Sequence, residues 1–346
     1  MLTKKNLLAF SPYLLVVLLT VIIYYPVLTL DGRPFNKDNY LIEDIEHINS
    51  LPEYIRAIGN GKIHDIQPIR DLTYVLDHTL TDFFGKDIFV FTNAILWILI
   101  SLLFYKIISH TLKAQKFRLI LLLLFCSHPL FVQSVAWPSA RKHLLSFAFV
   151  LLSFYIFSSK RNTWANKSLS IFAYTLSLLS QPISLFYSLW LIIYEKVHQK
   201  SSLQESIKRA SPYIALSLII GFTNLYYYNV IYESLTGISK YTQENTLGDR
   251  LLALGRSFVQ IFYPFVYSSF YFPGSIYNLI GIPLGGGLVY TSIKIAGLRN
   301  TITFVSLYFF SLAPVIINMT EIFLNDTYLL LPAFSIFLLV SHAHID

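Results

Sequence analysis

The sequence predicts an all-α polytopic membrane protein, a single domain over residues 1–346 that crosses the membrane about ten or eleven times. Hydrophobic residues make up 55% of the 346 positions and charged residues 13%, and the mean hydropathy is +0.57. Such a chain is too apolar for a soluble domain of this size. Apolar runs approaching the roughly 20 residues that cross a bilayer recur from residue 6 to residue 342, which leaves no stretch for a large soluble domain.

The basic residues predict the orientation of the chain in the membrane. The first apolar run, 6–28, follows Lys4 and Lys5 and lacks a small-residue cleavage site, so it predicts a retained helix with a cytoplasmic N-terminus. Later basic residues cluster in short loops between apolar runs, as in cytoplasmic loops. They are Lys113, Lys116, Arg118, Lys160, Arg161, Lys167, Lys196, Lys200, Lys208, Arg209, Lys294 and Arg299. This pattern explains the net charge of +7 without a nucleic-acid partner.

Two segments between these basic loops predict hairpins that leave the cytoplasm and return. Their tips are expected at 128–143 and at 181–182, where proline interrupts an apolar run. Irregular backbone at membrane depth survives only inside protein or beside a wet cavity, so the tips predict a polar cavity open to the outside. Other spans are expected at 89–109, 211–230, 277–297, 301–319 and 328–341, with an interfacial or re-entrant amphipathic helix at 250–272.

Residues 30–87 form the predicted first extracytoplasmic loop, and the loop is acidic. It carries 11 of the 19 acidic residues, and apolar residues recur at helical spacing over 41–58. This spacing indicates an amphipathic helix that lies on the membrane. The acidity fits a solvated external loop without further function. The alternative is that one carboxylate in FNKDNYLIED acts as a general base above the cavity.

Several motifs occur in a fixed order along the chain: LTYVLDHTL, HPLFVQSVAWPSARKHLL, LLSQP, YPFVYSSFYFPG and NDTYLLLPAFSIF. Together they resemble the membrane domain of GT-C glycosyltransferases, in particular the transmembrane and tetratricopeptide repeat protein O-mannosyltransferases and their bacterial relatives, without the repeat domain. The resemblance covers nearly the whole chain. It implies a GT-C-like bundle that transfers a sugar, with inversion, from a polyprenyl-phosphate carrier to a protein hydroxyl or an envelope glycan on the extracytoplasmic side.

The resemblance also implies which residues act. It places the catalytic base in the first external loop, at Asp38, with Glu43 and Asp44 as alternatives. Arg141 is the main candidate ligand for the lipid phosphate, and a cation that snorkels at a helix end is the alternative reading. Further substrate-binding candidates are Arg70, His128, Lys142 and Gln181. The sequence has no clustered metal ligands; a divalent ion between the acidic loop and the phosphate is chemically reasonable, although the sequence establishes no cofactor.

Four positions depart from the family pattern. Gln67, His143, Gln181 and Thr327 stand where the resemblance implies charged residues. Their loss favours an alternative function, a catalytically inactive structural or scaffolding subunit that joins a partner protein in a membrane or envelope complex. A transporter fits less well because acidic residues are nearly absent from the spans. The lack of eukaryotic targeting signals favours a bacterial inner membrane.

Overall fold

The computed structural model describes residues 4–29, 45, 48, 50–63, 65–159, 163–236, 246–264, 276–317 and 326–343. Within these ranges the regular elements are helices and no strand occurs, which confirms the predicted all-α class. The α-helices are α1 (Lys4–Leu28), α2 (Leu51–Gly59), α3 (Pro68–Phe84), α4 (Phe89–Ser109), α5 (Gln115–Cys126), α6 (Val132–Ala136), α7 (Arg141–Phe157), α8 (Trp164–Ser180), α9 (Tyr187–His198), α10 (Leu203–Tyr226), α11 (Glu233–Thr236), α12 (Leu247–Phe262), α13 (Ile276–Ile317) and α14 (Leu330–Ser341).

Several of these helices are long and apolar enough to cross a membrane. Among the described residues there are four, or five if the bent pair Gln115–Cys126 and Pro129–Ala136 forms one span. The four are Phe89–Ser109, Pro138–Phe157, Leu203–Leu235 and Leu279–Ile317. These helices are compatible with a multi-pass membrane protein. A total of ten or eleven crossings stays a prediction.

Proline and glycine interrupt the helices near the predicted boundaries. At the first predicted tip, the segments Gln115–Cys126 and Pro129–Ala136 meet at 46°. The second predicted tip lies where α8 ends at Ser180 and Pro182 opens a short 3₁₀ turn. The spans predicted at 277–297 and 301–319 form one helical stretch, α13, that breaks at Gly297 with φ +80°. Glycine adopts this backbone conformation without the steric penalty of a Cβ atom.

Buried hydroxyl groups join α7, α8 and α10. The Ser146 and Ser177 side chains lie 3.0 Å apart, and those of Ser153 and Ser170 lie 3.1 Å apart, between α7 and α8. The Tyr213 hydroxyl, from α10, donates to Ser170 Oγ at 2.7 Å. Small residues let helix backbones approach closely, and their hydroxyls bond across the interface, as is common between helices in membranes. We call these hydroxyls the serine ladder.

Helix α12 packs closely on α13 through glycines. The Phe258 ring stacks on Tyr308 with centroids 4.6 Å apart, and a Cβ atom at Gly281 would lie within 2.8 Å of the Gly255 Cα atom. The described part of the segment predicted as interfacial or re-entrant, 250–272, is helical up to Phe262, and its residues 255–261 are buried on every side. Whether it is interfacial or re-entrant stays a prediction.

The helix ends fall into two groups. One cavity is lined by His110, Ser158, His198 and His342, so the ends of α4, α7, α9 and α14 meet. We call this the basic end, because segments that carry basic loop residues begin or lie there. These segments are 110–118, 163–167, 196–209 and 294–299. The two tips, 128–143 and 181–182, form the polar end. The 17 residues of α7 separate the ends by about 25 Å.

Candidate functional site

The predicted site residues fall into two groups. Asp38, Glu43 and Asp44 lie outside the described residues. The other five all lie at the polar end: Arg70 on α3, His128 before the first 3₁₀ turn, Arg141 and Lys142 at the start of α7, and Gln181 after α8. The polar end therefore brings together residues that are far apart in sequence.

The first tip is built from short turns with local caps. The His128 ring accepts a hydrogen bond from the Leu130 backbone N–H at 3.3 Å, and Pro129 opens the 3₁₀ turn. The other ring nitrogen of His128 lies 3.0 Å from the Ile261 carbonyl oxygen on α12. Both ring nitrogens thus have backbone contacts. This geometry suits a histidine that fixes the tip against α12.

Arg141 is fully buried, and all of its donors have nearby acceptors. Its Nη2 atom lies 2.6 Å from both Asp77 Oδ2 and the Phe89 carbonyl oxygen. Its Nε donates to Asn93 Oδ1 at 2.9 Å, and its Nη1 donates to the Thr73 carbonyl oxygen at 3.3 Å. Because a guanidinium has five N–H donors, these contacts engage it on every side. The geometry indicates a residue that ties the tip to α3 and α4, and no described contact directs it to a ligand.

Two further groups complete the Arg141 environment. The Tyr74 ring centroid lies 5.0 Å from the guanidinium carbon, and the Tyr74 hydroxyl donates to the Pro138 carbonyl oxygen at 3.2 Å. The pKa of the Asp77 carboxyl is raised by burial, while Arg141 and the Thr92 hydroxyl, at 2.8 Å, oppose the rise. Asp77 Oδ1 thus accepts from Thr92, and Asp77 Oδ2 faces the guanidinium as a buried ion pair.

A second arginine, Arg70, lies next to this cluster in a network of carboxylates. Its Nη1 lies 2.8 Å from Asp65 Oδ1, and its Nε lies 2.6 Å from Asp71 Oδ1. The Tyr54 hydroxyl donates to the other Asp71 oxygen at 2.6 Å. Burial opposes the charge of Arg70, yet the two carboxylates outweigh it and raise its pKa. Burial raises the pKa of Asp71, against the opposing effect of Arg70 and Tyr54. Arg70 thus stays charged and ties Asp65 to α3, while the bond between Tyr54 and Asp71 joins α2 to α3.

Asp65 lies at the solvent side of this network and meets the remaining candidates. Its side chain is 27% exposed, the Lys142 side chain is 23% exposed, and the Lys142 ammonium lies 3.7 Å from Oδ2. The Gln67 amide donates to the same oxygen at 2.5 Å, and it also bonds the Gln181 side chain. A carboxylate, an ammonium and two amides therefore meet at the polar end. We call Asp65, Gln67, Lys142 and Gln181 the polar mouth.

Gln67, His143, Gln181 and Thr327 lie near one another at this end. Gln67 bonds Gln181 directly, and the Gln181 carbonyl oxygen accepts from Ser146 at 3.0 Å, one turn along α7 from His143. The His143 ring packs edge-on against Tyr328 at 4.9 Å, next to Thr327. These four side chains thus lie in one local environment, in which the Gln67 amide bonds the Gln181 side chain.

A buried polar network also joins α12 to the turn before α14. The Arg256 Nη2 donates to Gln260 Oε1 at 3.2 Å, and the Gln260 amide donates to Asp326 Oδ2 at 3.4 Å. These residues were not among the predicted site residues, and neither were Asp65, Asp77 and Asn93. One signal was present: Arg70, Thr73, Tyr74 and Asp77 are spaced so that they share a face of one helix. Asn93 and Asp326 carry no comparable local signal.

No metal site emerges in the part of the chain that the structure describes: no group of three or more His, Cys, Asp or Glu residues there is arranged to hold a metal ion. The carboxylates at the polar end, Asp65, Asp71 and Asp77, instead contact arginine, lysine, amide and hydroxyl groups. Arg70 and Arg141 are buried against these protein partners, so Lys142 is the one of the three cations whose side chain is partly exposed.

Comparison with known proteins adds no relative: no protein-family model, no curated protein and no solved structure matches the chain.

Proposed function

We propose that the protein is a membrane glycosyltransferase that moves a sugar from a polyprenyl-phosphate carrier to a protein hydroxyl or an envelope glycan. The polar mouth is the observation that carries this proposal. Lys142 supplies positive charge and Gln181 supplies amide N–H groups beside Asp65 and Gln67, and these residues come from three separate segments that meet at one end of the bundle. A lipid phosphate requires such donors on its oxygens.

The two ends of the bundle give the proposal its direction. The basic segments meet at one end, and the positive-inside rule assigns that end to the cytoplasm. The polar mouth, about 25 Å away along α7, then lies at the extracytoplasmic boundary of a bilayer core that is about 30 Å thick. The proposed bundle has about ten or eleven crossings in a bacterial inner membrane, with a cytoplasmic N-terminus.

In the proposed reaction, an acceptor hydroxyl attacks the anomeric carbon of the sugar. The hydroxyl proton goes to a carboxylate as the new C–O bond forms, and the old C–O bond breaks, leaving its electron pair on the lipid phosphate. Asp38 is the proposed base, with Glu43 and Asp44 as alternatives. Asp65 is a further carboxylate near the lysine that would hold the phosphate.

The cations have different proposed roles. Lys142 is the proposed phosphate ligand, because its side chain is 23% exposed. Arg70 and Arg141 are 3% and 0% exposed, so we assign them to positioning: Arg70 fixes Asp65, and Arg141 fixes the tip from which Lys142 projects. This assignment replaces the direct contact between Arg141 and phosphate that the sequence analysis expected.

A second candidate function is a catalytically inactive scaffolding subunit of an envelope complex. The bond between Gln67 and Gln181 favours it, because it joins two neutral amides where the resemblance implies cations. In this case the polar end binds a partner protein and holds no sugar lipid.

The first experiment is mass spectrometry of the lipids that remain on the gently purified protein. We compare the wild type with Lys142→Gln and with the control Lys86→Gln, an exposed lysine in the same external loop region. A polyprenyl-phosphate sugar is expected on the wild type and on the control. Its occupancy should fall at least about tenfold in Lys142→Gln, since a hydrogen bond to a charged group is lost.

The lipid so identified then serves as the donor in a transfer assay. Asp38→Asn should keep the lipid and lose transfer by roughly 100- to 10,000-fold. If transfer persists, the base is reassigned to Glu43, Asp44 or Asp65. A wild-type protein that carries no polyprenyl lipid but retains a stoichiometric protein partner would refute the enzyme and support the scaffold.

A further inference from the structure

A second cavity lies at the basic end, away from the polar mouth. Its volume is about 820 Å³, and it is lined by residues from the end of α7, the start of α8, the end of α9 and the start of α10. It reaches Ser170 and Tyr213, which lie well inside α8 and α10. The cavity therefore extends from the helix ends into the bundle.

The rim of this cavity carries cations. Lys167, Lys208 and Arg209 line it, together with Glu195 and Glu205. Arg209 bridges both carboxylates, with Nη1 3.0 Å from Glu195 and Nη2 2.6 Å from Glu205. Among the described residues, the rim has no further ion pair, so Lys167 and Lys208 have no carboxylate partner there. The rim thus carries three cations and two carboxylates, a net charge of +1, and both lysines lie outside its ion pairs.

The inner wall of the cavity has a different character. Phe157, Ile171 and Tyr213 line it, and Tyr213 is bonded to the serine ladder through Ser170. The α8 and α10 N-termini also face this end; their caps are Thr163 and Ser202, and helix N-termini favour anions. An apolar inner wall below a cationic rim matches an amphiphile with an anionic head.

We propose that this cavity binds the phosphate headgroup of an anionic membrane lipid from the leaflet at the basic end. Lys167 and Lys208 contact the phosphate, and Phe157 and Ile171 contact the first part of the acyl chains. Basic pockets between membrane helices recognise anionic lipid headgroups in this way. The site is separate from the proposed donor site, and the proposal does not depend on glycosyl transfer.

The test is native mass spectrometry of the purified full chain titrated with phosphatidylglycerol, phosphatidylcholine or inorganic phosphate. The wild type should bind phosphatidylglycerol more tightly than phosphatidylcholine. Lys167→Gln/Lys208→Gln should weaken phosphatidylglycerol binding about 25-fold, about fivefold for each lysine. The matched control Lys113→Gln/Lys116→Gln removes the same charge from exposed positions at the same end, outside the cavity, and should bind as the wild type does.

Three outcomes would overturn the proposal. The first is equal binding of the two lipids by the wild type. The second is an equal loss in the control variant, which would indicate a general effect of charge. The third is displacement of the lipid by millimolar inorganic phosphate, which would indicate a site for a soluble phosphate compound. Gel filtration monitors folding, and the single variants Lys167→Gln and Lys208→Gln replace the double variant if it does not remain monodisperse.

Discussion

The buried pair of Arg141 and Asp77 shows how one residue can fix a whole tip. The two side chains are 0% and 1% exposed, and the arginine also bonds the backbone of α3 and α4. Removing one partner of a buried ion pair leaves an uncompensated charge, which costs far more than the pair contributes when intact. Arg141 is thus more important for the shape of the polar end than for its surface charge.

Arg141→Met should lower the free energy of unfolding by about 3–5 kcal/mol, because the Asp77 carboxylate is left without its partner. The measurement is a denaturant titration of the purified protein in mixed micelles, followed by circular dichroism. The neighbouring control Lys142→Met removes a partly exposed cation and should cost no more than about 1 kcal/mol. Adding Asp77→Leu to Arg141→Met should recover part of the loss. Equal stability of Arg141→Met and the wild type would contradict this interpretation.

Sequence reasoning found part of the polar end. Arg70, Lys142 and Gln181 were identified from motifs, and the structure places all of them there. The bond between Gln67 and Gln181 joins residues 114 positions apart, and no local periodicity reports such a contact. The burial of individual side chains could not be predicted either, because Arg141 and Lys142 are adjacent in sequence while only Arg141 is enclosed by α3 and α4.

At the scale of helices, breaks were easier to predict than packing. Proline and glycine act through local backbone sterics, so the interruptions at Pro182 and Gly297 have a signal in the sequence. Helix α10 begins at Leu203, earlier than the predicted span 211–230, because Ser202 caps it by accepting from the Glu205 N–H at 3.2 Å. The close approach of α12 and α13 depends on which glycines face each other across space, which spacing alone does not reveal.

The two glycine environments in α13 make this packing testable. Gly281→Ala should lower the free energy of unfolding by about 1–3 kcal/mol, because the new methyl group meets the Gly255 backbone and forces the helices apart. Gly286→Ala is the matched control; no atom lies within 4 Å of its added Cβ, so it should be neutral or stabilise by up to about 1 kcal/mol. The same titration measures both. Equal effects of the two substitutions would argue against the close crossing.

For the complete fold, the two ends differ in the charges of their loops. Basic loops lie at one end, and the acids at positions 65, 71 and 77 lie at the other, in contact with buried or partly buried cations. The distribution of loop charges was readable from the sequence, because it depends only on composition between apolar runs. Which helices neighbour one another was not readable from it.

Cysteine labelling in intact cells tests the two-ended arrangement. The native Cys126 is buried, so a Cys126→Ala background should give little reaction. Asp82→Cys should react with a membrane-impermeant maleimide added from outside, whereas Lys113→Cys should react only after the membrane is permeabilised. Both parent side chains are exposed. Labelling of both positions from the same side would contradict the assignment.

The serine ladder has a consequence for biosynthesis. Among the described helices, α8 is not one of those that are long and apolar enough to cross a membrane, and it is not one of the shorter apolar helices. Its Ser170 and Ser177 hydroxyls donate to backbone carbonyl oxygens of α7. In lipid without α7, those hydroxyls would lose their partners across the interface. Because α7 is synthesised before α8, we expect these hydroxyls to favour insertion of α8 beside an α7 that is already in place.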